Sequence, residues 1–154
     1  MESSELIKKI GEKIGIDLSP NDDNSYTLEV DEMLLSLHIL LEIDTIILVG
    51  DIGEPPPEHL ENLYKTMLES QHLFNGTGGA TISLNSETNR FSLCKTLSCK
   101  ILDADLLYEE AEQFVNTLEV WIKLVKDYRD VVPMVNEAKA DDAPQFDANS
   151  FIRA

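Results

Sequence analysis

The chain has 154 residues, a length that fits one domain built around a single hydrophobic core. It carries 29 acidic residues against 12 lysines and arginines, so its formal charge at pH 7 is −17. A field of that sign repels phosphate backbones and anionic lipids, which argues against nucleic acid or a membrane surface as a partner and favours basic or amphipathic polypeptides. No apolar stretch reaches the roughly 18 residues that a bilayer span requires, and residues 1–5 lack the basic start of a signal peptide. We therefore expect a folded cytoplasmic protein without membrane insertion.

The first predicted element is an amphipathic helix over residues 4–14, whose apolar side chains recur at helical spacing. These side chains are Leu6, Ile7, Ile10 and Ile14. Gly15 can close the helix, and the run of Pro, Asn and Asp at residues 20–24 predicts a loop. A half-buried strand follows, because Tyr26, Leu28 and Val30 alternate with polar residues.

Two more strands complete a predicted meander. After a turn at residues 31–32, one side of the second strand presents an unbroken apolar row. The row consists of Leu35, Leu37, Ile39, Leu41 and Ile43. The third strand, at residues 46–49, is apolar on both faces and is therefore best placed at the centre of a sheet.

Three consecutive prolines at residues 55–57 must interrupt regular structure, since proline donates no backbone hydrogen bond. A second helix follows, starting near Glu58, with one apolar stripe. The stripe consists of Leu60, Leu63, Tyr64, Met67 and Leu68. A glycine-rich loop at residues 76–79 then leads into a hairpin that turns at residues 85–89.

A long last helix can be capped by Asp103 and reach about Tyr128, with its apolar residues on one face and Pro133 at its end. The residues that follow show no periodicity, so we predict a domain over residues 1–130 and a flexible acidic tail over residues 131–154. The element order helix, three strands, helix, two strands, helix predicts an α+β fold. The simplest arrangement of these elements is one twisted antiparallel sheet with the helices on a single face.

No arrangement of residues typical of an enzyme stands out. The loop at residues 76–81 has the glycines of a phosphate cradle but follows a helix, enters a strand and lacks the Lys-Ser or Lys-Thr pair. His38, His59 and His72 are too scattered to predict a metal site. No carboxylate pair is fixed at one pocket, and no Gly-x-Ser-x-Gly turn occurs. We predict a non-catalytic protein without metal or cofactor.

The predicted sheet carries more apolar surface than three helices on one face can cover, because its second and third strands are apolar on both sides. Exposed apolar patches usually mark a partner site. Dimerisation alone would also cover them, and both alternatives stay open.

Several segments resemble the class I type III secretion chaperones, the family typified by the Tir chaperone. They are the opening helix at residues 6–15, the strand at residues 46–53, the entry to the hairpin at residues 78–84, and the closing segment in which Leu102-Asp103-Ala104-Asp105-Leu106 leads to Phe114 and Glu119-Val120-Trp121. The element order also matches, and the resemblance covers about residues 4–128.

This resemblance implies a homodimer that binds the N-terminal chaperone-binding segment of secreted effectors, keeps it non-globular and delivers it to components of the export apparatus. The second helix would supply dimer contacts through Leu60, Leu63, Tyr64, Met67 and Leu68. The first helix and the strands would contact the effector, with a free sheet edge open to strand addition. The effector-binding residues would be Leu6, Ile10, Ile14, Leu28, Leu37, Ile39, Leu41, Ile46 and Leu48.

Two other functions remain open at this point. A regulatory adaptor of the same fold would bind a secretion regulator in place of export cargo, and gene neighbourhood separates it from a cargo chaperone. A small enzyme would use clustered carboxylates with a divalent metal, and calorimetry with divalent cations tests that hypothesis.

Overall fold

A computed structural model describes residues 3–135 of the chain, with side chains over residues 4–129. Of the predicted tail, residues 131–135 continue the last helix and residues 136–154 lie outside the described part. The predicted element order is confirmed. The helices are α1 (Ser3–Ile14), α2 (Leu60–Gln71) and α3 (Ala104–Val135). The strands are β1 (Ser25–Val30), β2 (Met33–Leu40), β3 (Thr45–Gly53), β4 (Thr81–Asn85) and β5 (Arg90–Ser98).

The five strands form one antiparallel sheet in the order β1-β2-β3-β5-β4, so that β1 and β4 are its edges. Its helix-covered face carries the core, in which Leu37 pairs with Leu48 and Ile46 pairs with Leu97. Successive side chains of a strand point to opposite faces, so Leu34, Ile47 and Val49 lie on the other face, where Leu34 is exposed. The α+β fold with helices on one face is as predicted.

The long helix α3 crosses the centre of the sheet over β3. Gly50 permits this approach, because a Cβ atom at that position would lie 2.4 Å from Cδ2 of Leu118. The buried Trp121 also donates from its Nε1 to the carbonyl oxygen of Gly76 at 2.9 Å, which joins α3 to the loop before β4. Asp103 caps α3 as predicted, since its Oδ1 accepts from the Leu106 N–H at 2.8 Å.

The other two helices flank α3 on the same face. Lys13 of α1 forms an ion pair with Asp105 in the first turn of α3. Tyr64 of α2 packs edge-on against Phe91 of β5, with 6.1 Å between ring centroids. The helices α1 and α2 therefore lie on either side of α3 over the same face of the sheet. Within residues 3–135, no helix has both the length and the hydropathy needed to cross a bilayer.

The second strand is shorter than the alternation of its sequence predicts. It ends at Leu40, and Leu41–Ile43 form a 3-10 turn in which Leu41 and Ile43 are exposed. The reason is the sheet register, which pairs Leu40 with Thr45 and leaves only four residues to reverse the chain. Asp44 closes the reversal with a left-handed φ of 53°.

Two helix boundaries also differ from expectation. Pro133 does not end α3, which continues two residues further to Val135. At the other boundary, α2 begins at Leu60, two residues after Glu58, since His59 takes a left-handed φ of 59° that a helix cannot contain.

Candidate protein-binding surfaces

A groove opens between α1, the β1–β2 end of the sheet and the first half of α3. Its volume is about 510 Å³, and we call it the α1 groove. The apolar residues that line it are Ile10, Ile14, Ile16, Leu28, Val30, Leu35, Leu37, Tyr108, Ala111 and Val115. Its floor is buried, whereas Ile16 on the rim is 46% exposed. A preformed apolar concavity of this size is suited to apolar side chains from another chain.

The structure brings four of the predicted effector-binding residues together in this groove: Ile10, Ile14, Leu28 and Leu37. Sequence reasoning did not assign Ile16, or Tyr108 and Val115 of α3, to a binding surface. Val115 belongs to the predicted apolar face of that helix, but such a face does not reveal which of its members border an opening.

The other predicted effector-binding residues lie elsewhere. Leu6, Ile46 and Leu48 have no exposed surface, and Ile39 is 9% exposed, so these four are core side chains and not the surface patches that the resemblance implied. Leu6 is buried where α1 packs against α3, and Ile46 and Leu48 are buried on β3, the strand that α3 crosses. Leu41 is exposed on the turn between β2 and β3, outside the groove.

Carboxylates form the charged part of the rim of the α1 groove. Glu29 of β1, Asp31 of the following turn and Glu112 of α3 line it and are exposed. A cation beside the groove is Lys13, whose ammonium lies 2.5 Å from Asp105 and 4.7 Å from the centroid of the Tyr108 ring. The Lys13–Asp105 hydrogen bond raises the pKa of Lys13 and lowers the pKa of Asp105. Both groups of the pair are therefore charged at neutral pH, and the charge of Lys13 is offset locally.

A second apolar surface lies on α2 and the β4 edge, and we call it the α2 face. Its exposed members are Tyr64, Leu68, Leu73, Phe74 and Leu84. A shallow depression of about 290 Å³ runs between α2 and β4 and joins Tyr64 and Leu68 to Leu84. Of the predicted dimer residues, Tyr64 and Leu68 are exposed and Leu60 is half-buried. Leu63 and Met67 are 0% and 4% exposed and pack inward.

Leu73 and Phe74 are members of the α2 face that sequence reasoning missed. They lie in the 3-10 turn His72–Phe74 and have φ values of 54° and 57°. Bulky residues in the left-handed region store backbone strain, and such strain persists only where the surrounding structure enforces it. The turn points two large side chains, 77% and 53% exposed, into solvent beside α2.

The β4 edge is partly covered by a side chain of the chain itself. The Oε1 atom of Gln71 accepts a hydrogen bond from the Ile82 N–H at 3.0 Å. An edge strand with free N–H groups is open to further strands, and Gln71 occupies one of them. Among residues 3–135, no three His, Cys, Asp or Glu side chains converge to hold a metal ion.

A family comparison decides what this chain is related to. The model of the Tir chaperone protein (CesT) family matches residues 5–122, more than three-quarters of the chain. The chain belongs to this family. Membership in the Tir chaperone family confirms the resemblance noted in the sequence, and it makes the chain a chaperone and not an enzyme. No curated protein matches the sequence.

Solved structures share the fold of this Tir chaperone family member. The ExsC–ExsE complex gives a TM-score of 0.68 at 17% identity, over 81% of this chain and 96% of the other. The HopA1–SchA chaperone–effector complex gives 0.61 at 15% identity, over 80% and 92%. The Yersinia pestis type III secretion chaperone SycH, in complex with a fragment of YscM2, gives 0.61 at 14% identity, over 77% and 98%.

Proposed function

We propose that the chain is a cytoplasmic type III secretion chaperone. It binds the N-terminal segment of effector proteins in the α1 groove, keeps that segment non-globular and promotes its export. The proposal is carried by one observation, a preformed apolar groove on a member of the Tir chaperone family. The solved proteins with this fold include chaperones bound to effectors, such as HopA1–SchA.

The energetics favour an unfolded segment as the occupant. Burying one Leu or Phe side chain contributes about 1.5–3 kcal/mol, whereas micromolar affinity needs about 8 kcal/mol. One side chain in the α1 groove is therefore insufficient, and ordering a flexible segment adds a further cost. A segment that continues over the surface beyond the groove can combine several such contacts.

The α2 face supports the homodimer in this proposal. It presents exposed aromatic and aliphatic side chains on two adjacent elements, α2 and β4. A stable dimer buries about 800 Å² on each subunit around an apolar centre. Two α2 faces meeting about a twofold axis would shield Leu68 and Phe74 and provide two copies of the α1 groove for one cargo.

The test is co-expression of the full chain with the N-terminal segments of candidate effectors. We expect one or more of them to co-purify with a dimer. Ile16→Asp places a charge at the exposed rim of the groove and should reduce recovery of the segment at least tenfold. Ile101→Asp is the matched control, because Ile101 is 77% exposed and lies outside both surfaces. A strict monomer that binds none of the segments would overturn the proposal.

A further inference from the structure

All the charged residues that line the α1 groove are acidic. Glu29 and Asp31, at the end of β1 and in the turn directly after it, and Glu112 of α3 line the same apolar floor. Within residues 4–129, no Lys, Arg or His lines the groove and none of these three carboxylates forms an ion pair. An incoming chain therefore meets an apolar floor bordered by negative charge that no described cation pairs with.

Some described carboxylates outside the groove are balanced by cations, and the rim carboxylates are not among them. The Asp51 carboxylate accepts two hydrogen bonds from Arg90, one from Nε at 3.0 Å and one from Nη2 at 2.6 Å. Glu110 lies 2.6 Å from the Lys95 ammonium. The groove rim has no such partner among the described residues, so a ligand that supplies cations gains favourable contacts there.

We propose that the α1 groove selects effector segments in which a bulky apolar side chain is flanked by lysine or arginine. The apolar side chain fills the groove while flanking cations reach Asp31 and Glu112, and a cation that passes over the β1 edge reaches Glu29 on the other face of the strand. This inference rests on the proposed chaperone function and adds the chemical class of its cargo. A cation with a long aliphatic stem suits the site, because the stem can follow the apolar wall while the charge reaches the rim.

The chain's own residues 136–154 fit the groove less well. They include Phe151 and Ile152 next to Arg153, but they carry four carboxyl side chains against two cations. A second copy of the chain, with its charge of −17, is repelled by the same rim. A cationic segment of another protein is the occupant that the charges favour.

The experiment uses the full chain and two synthetic peptides of 15 residues. One carries Ile-Phe-Leu at its centre with two lysines on each side, and the other has glutamine at the four lysine positions. The rim variant is Glu29→Gln/Asp31→Asn/Glu112→Gln. The control variant, Glu42→Gln/Glu87→Gln/Asp127→Asn, has the same net charge but changes exposed carboxylates outside the groove.

At low ionic strength, each exposed charge contact changes affinity about two- to fivefold. The rim variant should therefore weaken binding of the lysine peptide on the order of tenfold or more, while the control variant changes it less than twofold. The glutamine peptide should bind both variants alike. Equal losses for the two variants would mean a bulk charge effect, and no loss for the rim variant would mean that the rim plays no part; either result overturns the inference.

The tail is tested in the same assay with Phe151→Ser/Ile152→Ser in the full chain. Unchanged peptide affinity supports the assignment, whereas a clear gain in affinity would show that the tail occupies the groove and would overturn it.

The results of these peptide assays are independent of the co-expression test of the proposed function. Effector segments could co-purify while the rim variant binds the lysine peptide as the wild type does. In that case the proposed function stands, and only the proposed preference for lysine- or arginine-flanked segments is wrong.

Discussion

Gly50 is the residue on which the close packing of α3 against the sheet depends. An alanine Cβ there would lie 2.4 Å and 2.8 Å from the two methyl carbons of Leu118. Neither distance is tolerable for carbon atoms, so Leu118 or the helix must move. Overpacking of this kind costs about 1–3 kcal/mol. We expect Gly50→Ala to lower the free energy of unfolding by that amount, measured by urea denaturation.

The double variant Gly50→Ala/Leu118→Ala separates this contact from a general effect of the substitution. Leu118→Ala alone leaves a cavity and costs about 2–5 kcal/mol. In the double variant the added methyl group lies in the space that Leu118 vacated, so the combined loss should be smaller than the sum of the single losses. Strictly additive losses would contradict the contact.

The two cysteines should differ in reactivity, although both are free thiols. Cys99 is 1% exposed, and burial raises the pKa of its thiol. Cys94 is half-buried on the face of the sheet without helices. The thiolate is the reactive species, so we expect Cys99 to react with a thiol reagent at pH 8 at least tenfold more slowly than Cys94. Cys94→Ser and Cys99→Ser each leave one thiol to be measured, and equal rates would contradict the prediction.

The raised pKa of Cys99 also predicts how the stability of the fold changes with pH. The folded chain favours the neutral thiol, so this group contributes stability below the ordinary thiol pKa of about 8.5. That contribution is lost as the pH rises through the higher folded pKa. The alkaline loss of stability should therefore be smaller in Cys99→Ser than in the wild type, measured as the urea midpoint across the alkaline range.

At the scale of elements, α2 and the turn after it are the proposed dimer surface. Leu68 is 68% exposed in the single subunit, so the fold tolerates Leu68→Glu. In a dimer, the same glutamate would be buried without a partner at a cost of about 3–5 kcal/mol, a hundredfold or more in Kd. We expect a monomer by light scattering at micromolar concentration. Ile101→Glu adds the same charge outside the α2 face and should stay dimeric; equal masses for the two variants would refute the interface.

The elements themselves could be predicted because each follows one local period. The apolar spacing of α1 and the alternation of β1 locate both to within about two residues of their observed ends. The β2 boundary could not be predicted, since Leu41 and Ile43 continue the alternation and only pairing with β3 ends the strand. The positive φ values of Leu73 and Phe74 carry no local signal either, because neither residue type favours the left-handed region.

The binding surface was predictable only in part. Ile10, Ile14, Leu28 and Leu37 line the α1 groove, whereas Ile46 and Leu48 have the same apolar character and do not line it. The difference is set by α3, which lies over the centre of the sheet and leaves the β1 side open. Its position depends on contacts distant in sequence, such as Leu118 on Gly50, and no periodicity encodes those contacts.

At the scale of the whole molecule, the net charge affects the two proposed associations in opposite ways. Each subunit carries −17, so a homodimer brings together two surfaces that repel each other, and apolar contact on the α2 face must exceed that repulsion. A lysine-flanked cargo is instead attracted by the same field and by the rim of the α1 groove. The charge therefore opposes self-association and favours cationic partners.

Salt should separate these two effects. Screening shortens the reach of charge interactions from about 30 Å at 0.01 M to about 3 Å at 1 M. Raising sodium chloride from about 0.02 M to about 0.5 M should therefore tighten the homodimer, measured by sedimentation equilibrium, because repulsion is screened while apolar contacts remain. The same change should weaken binding of the lysine-flanked peptide in calorimetry and leave the glutamine-flanked peptide nearly unaffected. If the dimer instead dissociated with added salt, ion pairs and not the apolar α2 face would hold it together.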